Sequence, residues 1–191
     1  MGVMSVVRAA ATVELSEQSL DVSDVHARHA DFVWATLHRL GVREADLPDM
    51  LQEVFVVVHR RGHTFDGSSR LTTWLFGICL RVATAYRRRA HIRREQLVEH
   101  VPEEIDEERT PEEVAAARRA QAQLERILDS MELEQRAVFV MFEVEEMPCA
   151  EIASVVGIPV GTVHSRLHAA RKSFERTLAR LQAADRRGGA R

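Results

Sequence analysis

Apolar residues along this chain recur at spacings of three and four, and the alternation expected of strands is found nowhere. Such a period places side chains on one face of a helix. From Ser23 to Leu40, Phe32, Val33, Leu37 and Leu40 share a face, with Ser23 suited to cap the helix and Gly41 to end it. A second helix, 46–61, carries Leu47, Met50, Leu51, Val54, Phe55 and Val58 in the same rhythm. A polar loop around Gly62 and Asp66-Gly67-Ser68-Ser69 follows. A third helix starts near Thr72 and runs through Trp74, Leu75, Ile78, Val82 and Ala83 into a cluster of arginines.

The pattern then breaks. Residues 97–110 are acidic, contain Pro102 and read as a flexible linker. Thr110-Pro111-Glu112-Glu113 is a helix start, with a capping threonine, proline in the first turn and a glutamate three positions on. That helix continues through Leu124, Ile127 and Leu128, and another spans 133–144. Pro148 opens a short helix with Ile152, Ala153 and Val156 inward; Gly157 makes a turn; a last helix covers 160–181. The predicted fold class is all-α: two small helical domains, 23–96 and 111–182, joined by the acidic linker. The C-terminal domain is a helix-turn-helix. Residues 1–22 are expected to be flexible and 183–191 a disordered tail.

Composition narrows the function classes. Aromatic residues make up only 5% of the 191 and charged residues 29%, which suits small helical domains. The two cysteines, Cys79 and Cys149, lie in apolar helical surroundings and read as free thiols of a reducing cytoplasm. No apolar run approaches a membrane span, and no signal pattern opens the chain, so a cytoplasmic protein without membrane insertion is expected. A glycine-rich phosphate loop, a nucleophile elbow and a metal-ligand cluster are all missing, so no enzyme, cofactor or metal is expected. His164 and His168 have metal-ligand spacing, but no Cys, Asp or Glu lies near them in sequence.

The net charge of −3 conceals an alternation. Residues 81–94 hold six arginines and no acid, 95–113 hold nine acids against Arg109 alone, and 160–191 hold eight bases against two acids. Local field, not the total, decides where a polyanion binds. In the last helix Val163, Leu167, Ala170, Phe174 and Leu178 share one face, leaving His164, Ser165, Arg166, His168, Arg171 and Lys172 open. Such a helix fits the major groove, with Arg166 near base edges and Arg171 and Lys172 nearer phosphates. The same pattern also fits an ordinary amphipathic helix with a solvated basic face. Upstream, Phe65, Trp74 and Phe76 precede the arginine helix, an arrangement that suits single-stranded or distorted DNA. Each aromatic alone is equally a core residue.

Four blocks in this order resemble the sigma-70 family of bacterial sigma factors, and within it the small extracytoplasmic-function group. They are Asp49-Met50-Leu51-Gln52-Glu53-Val54-Phe55; Phe65-Asp66-Gly67 with Leu71-Thr72-Thr73-Trp74-Leu75; Tyr86-Arg87-Arg88-Arg89; and Glu151-Ile152-Ala153 with Gly157 through Lys172. The resemblance implies a first domain that binds the β′ clamp helices of core RNA polymerase through Asp49, Gln52, Glu53 and Phe55. It implies that Phe65, Trp74, Arg81, Tyr86, Arg87, Arg88 and Arg89 bind and melt the −10 element, holding one strand. The second domain would touch the β flap and read the double-stranded −35 element with Thr162, His164, Ser165, Arg166, His168, Arg171 and Lys172. Family members are often held inactive by an anti-sigma factor. Arg81 and Ala85 stand where members often carry Asn and Asp. A stand-alone helix-turn-helix regulator is the alternative, but it leaves the Asp49–Phe55 helix and the arginine helix without a task.

Overall fold

The computed structural model of the chain describes residues 20–93 and 111–188. Helix α1 spans Val22–Arg39, so it begins inside the segment expected to be flexible. Its cap is Asp21 rather than Ser23: the Asp21 carboxylate accepts the Ser23 backbone N–H at 2.9 Å. A carboxylate there satisfies an end donor and also meets the positive end of the helix dipole. Gly41, at φ 92°, turns the chain out of α1, and Val42 N–H reaches back to the Leu37 carbonyl. A 3-10 turn at Glu44–Asp46 leads into α2, Leu47–Arg61. A second, Gly62–Thr64, precedes the polar loop and α3, Leu71–Arg93. Val33, Leu37, Leu40, Leu47, Val54, Val58, Leu75 and Phe76 have no exposed surface and form the core between these three helices.

The second group comprises α4 (Pro111–Asp129), α5 (Leu133–Phe139), α6 (Cys149–Val156) and α7 (Val160–Gly188). The expected cap at Thr110 lies outside the described residues. The stretch 133–144 is not one regular helix, because Val140–Val144 is a π turn closed by Glu145 N–H on the Val140 carbonyl. Helix α7 is longer than expected and carries helical structure to Gly188, into the predicted tail. Its buried stripe of Val163, Leu167 and Ala170 meets Val138, Met141 and Ile152, and Phe139 stacks on Phe174 at 5.4 Å. No strand occurs among the described residues, and no described helix is long and apolar enough to cross a membrane.

The two groups touch. Thr73 Oγ1 on α3 donates to Glu151 on α6 at 2.7 Å, and Gly77 of α3 faces Val155 of α6. Arg136 of α5 reaches the carbonyls that end α1.

Candidate nucleic-acid interfaces

The first surface is built on the loop before α3 and on α3 itself. Asp66 accepts the Ser68 N–H at 3.0 Å, and Gly67 takes φ 72°, which shapes the loop tip. The Ser68 hydrogen bonds hold the Asp66 carboxyl below its ordinary range. Phe65 and Trp74, both half-buried, lie with ring centroids 5.6 Å apart and tilted by 54°. They form one aromatic platform with a free edge, whereas Phe76 is wholly buried and serves the core. Arg81, Arg88 and Arg89 are exposed along α3, and Tyr86 and Arg87 are half-buried.

The arginines are not equivalent. Arg89 pairs with Glu53 of α2 at 3.0 Å. One Arg87 guanidinium nitrogen is buried with no hydrogen-bond partner among the described residues. Tyr86 donates its hydroxyl to Asp46 at 2.6 Å and accepts from Arg43 Nε at 3.0 Å. Burial, then the bond to Asp46, pushes the Tyr86 phenol above its ordinary value. Its hydroxyl is therefore a brace between α3 and the turn before α2.

On α2, Asp49 and Gln52 are exposed and Glu53 is half-buried, so these three share an accessible acidic face. Phe55 departs from expectation. It is only 7% exposed, with its ring 4.5 Å from that of His26, because it lies on the buried side of α2. The apolar residue beside the acidic face is instead Val56, 41% exposed. Its position outside the three/four stripe is the signal that could have found it.

The second surface is the helix-turn-helix. Gly157 sits at φ 73°, ψ 38°, and its N–H and that of Ile158 both reach the Ala153 carbonyl, closing α6. On α7, His164, Ser165, His168 and Lys172 are exposed, and Thr162 and Arg166 are half-buried. Ser165 donates its hydroxyl to the Thr162 carbonyl at 3.0 Å. Arg171 is exposed but anchored: it pairs with Glu143 at 2.7 Å and lies 5.2 Å over the Phe142 ring. Cys149 Sγ approaches the His164 Nδ1 at 3.9 Å, a proximity that their separation of fifteen residues in sequence does not show. No group of three or more metal-ligating side chains forms among the described residues.

Between the two surfaces lies a cavity of about 470 Å³, lined by Gly77, Arg81 and Arg88 of α3 and by Ser154 and Gly157. Nothing in the sequence signals it, because its walls lie more than sixty residues apart in the chain.

Comparison with known proteins follows this division. The model of "Sigma-70 region 2" matches residues 25–92, and that of "Sigma-70, region 4" matches residues 121–174. The chain is 35% identical over 159 residues to the ECF RNA polymerase sigma factor SigE of Mycolicibacterium smegmatis, covering 80% of this chain and 60% of that relative. It is 28% identical over 149 residues to the ECF RNA polymerase sigma-E factor of Escherichia coli K12, covering 74% and 78%. Among solved structures, CnrH in complex with the cytosolic domain of CnrY matches with TM-score 0.59 and 25% identity, over 93% of this chain and 97% of that one. The sigma factor RpoE in complex with the anti-sigma factor NepR, from Bartonella quintana, shares the fold with TM-score 0.64 at 16% identity, over 83% and 97%.

Proposed function

Because the chain belongs to the sigma-70 family, in its extracytoplasmic-function group, we propose that it binds core RNA polymerase in the cytoplasm, directs it to specific promoters and helps open the DNA. The observation that carries this reading is that one chain holds both regions, each with its own basic helix: α3 in the first and α7 in the second. A stand-alone regulator needs only the second.

In this reading the exposed Asp49 and Gln52 and the half-buried Glu53, with Val56 beside them, meet the polymerase clamp. The Phe65–Trp74 platform receives bases unstacked from the −10 element, and Arg81, Arg87 and Arg88 hold the phosphates of that strand. Strand separation needs no covalent chemistry, because stacking of captured bases offsets an unstacking cost of a few kcal/mol. Helix α7 reads the −35 duplex with Thr162, His164, Ser165, Arg166 and His168 toward base edges and Lys172 toward phosphate. Arg171 supports that helix through Glu143 and Phe142 before it meets DNA. The fold is shared with a sigma factor solved in complex with an anti-sigma factor, so an anti-sigma partner is part of the proposal.

The test is run-off transcription from a genomic promoter library by purified core polymerase, with and without the protein. Discrete starts that need the protein support the reading. An absence of new starts, with tight duplex binding in the absence of polymerase, would instead establish the stand-alone regulator.

A further inference from the structure

The cavity beside α3 has walls whose chemistry the proposed function leaves unused. Arg81 and Arg88 line it, both exposed, and none of the described residues lining it is a carboxylate. Neither guanidinium is paired with an acid among the described residues, whereas Arg89 and Arg171 each are. Seven positions separate Arg81 from Arg88, which is two turns and roughly 10 Å along the helix axis. Guanidiniums hold phosphate oxygens through paired N–H donors, and two of them at this spacing suit a chain of phosphates better than a single one.

The remaining walls add two further kinds of contact. Thr84 Oγ1 donates to the Leu80 carbonyl at 2.6 Å, and Ser154 Oγ donates to the Ala150 carbonyl at 3.3 Å. Each hydroxyl proton is thus held by its own helix, and what these groups offer to the cavity is acceptor lone pairs. They match donors such as a sugar hydroxyl or a base amino group. Val155 and Val156, half-buried, contribute apolar surface from α6. The volume of about 470 Å³ is that of a small-molecule site rather than of a single ion. Unpaired cations, outward acceptors and an apolar wall in one cavity describe a ligand with several phosphates, a few donors and a flat apolar body.

We propose that this cavity binds a free nucleoside polyphosphate. Its phosphates lie on Arg81 and Arg88, its hydroxyl or amino donors on Thr84 and Ser154, and its base against Val155 and Val156. The site itself does not depend on the sigma-factor reading. One consequence does: that reading gives Arg81 and Arg88 to the −10 strand, so nucleotide and strand compete for the same two guanidiniums.

The experiment uses the full chain without polymerase. Isothermal titration calorimetry with ATP, AMP and inorganic triphosphate is run at roughly 0.15 M salt, where exposed charges alone are largely screened. ATP is expected to bind saturably at one site per chain. AMP and inorganic triphosphate should each bind at least about tenfold more weakly, because each lacks one set of contacts and a single charge-assisted hydrogen bond is worth that factor. Ser154→Phe fills the cavity and leaves both arginines in place. It should weaken ATP at least about tenfold while leaving the affinity for a labelled single-stranded oligonucleotide of mixed sequence unchanged. If Ser154→Phe loses its helical circular dichroism, Thr84→Leu decides by the same criteria. Arg81→Gln/Arg88→Gln should lose both ligands. No saturable ATP binding, or ATP binding that survives Ser154→Phe with helicity intact, would overturn the site. Inorganic triphosphate binding as tightly as ATP would overturn the nucleoside part of the assignment. Failure of ATP to displace the oligonucleotide would overturn the competition. Failure of the run-off assay would sink the sigma-factor reading and leave the ATP titration standing.

Discussion

Gly157→Ala isolates the turn on which the second surface depends. Gly157 sits in the left-handed region at φ 73°, ψ 38°, and a Cβ built there meets nothing within 4 Å. Steric overlap with neighbours therefore contributes nothing, and only the backbone strain of an L-residue remains. That strain is about 1–2 kcal/mol. Alanine also narrows the unfolded ensemble, which returns part of it, so a net loss of about 1 kcal/mol is expected. For a helical unit of this size, that corresponds to a fall in Tm of about 4–8 °C. Gly157→Asn should lose less, because asparagine tolerates the left-handed region better than other non-glycine residues. Thermal unfolding followed by far-ultraviolet circular dichroism reads both. Duplex affinity measured well below the transition should be unchanged, since the exposed residues of α7 are untouched. Equal losses for Ala and Asn, or no loss for Ala, would refute the backbone argument.

Arg166→Ala is expected to cut discrimination between cognate and altered −35 sequences by about 1–3 kcal/mol, whereas Arg171→Ala, which frees Glu143 and uncovers Phe142, should weaken all sequences alike and lower Tm. Competition binding with base-substituted duplexes separates the two, and a uniform loss for Arg166→Ala would make it a phosphate contact. Asp49→Lys should weaken binding to core polymerase and, because Asp49 lies in the first turn of α2, lower Tm by only a few degrees; unchanged affinity in a pull-down titration would remove it from the clamp surface. Tyr86 is the chain's single tyrosine, so its phenolate absorbance is unambiguous. Burial and the Asp46 bond raise its folded value above the unfolded one of about 10. Folding thus favours the protonated phenol: that stabilisation is complete below about pH 10 and is lost as the pH climbs through the folded value. A folded-state titration midpoint at or below that of free tyrosine would contradict the brace, and Tyr86→Phe should abolish this alkaline loss.

The helices were legible because burial imposes a three/four period wherever one face of a helix meets a core, and Val33, Leu37, Val54, Val163 and Ala170 obey it. The turns were legible at Gly41 and Gly157 because both need a positive φ. What escaped was decided by contacts far apart in the chain. A buried arginine looks like any other in sequence, so nothing marked Arg136 as the residue that ends α1 from outside. Phe55 belonged to the apolar stripe of α2, and only the likeness of its neighbours to a polymerase-binding block drew it to the surface. The π turn at Val140–Val144 begins inside a run of six consecutive buried residues, 136–141, which a three/four period cannot describe. Cys149 and His164 are brought together by the turn between their helices, which spacing alone does not reveal.

The pair Arg89–Glu53 changes how the two faces of the first region are to be understood. Glu53 belongs to the acidic face of α2 and Arg89 to the basic helix α3, yet each is the other's partner at 3.0 Å. With side chains 56% and 38% exposed, the bond is worth at most about 1 kcal/mol. A weak bond is what coupling of this kind requires, because a strong one would hold both groups against any partner. Under the proposed function, a cation on the polymerase that captured Glu53 would leave Arg89 without its acid and ready for phosphate, and DNA that captured Arg89 would leave Glu53 ready for the polymerase. By linkage the two effects are equal in size. The acidic and basic faces of this region are thus one electrostatic unit, and binding of polymerase and of DNA should favour each other by up to that amount even where neither ligand touches the other's residues.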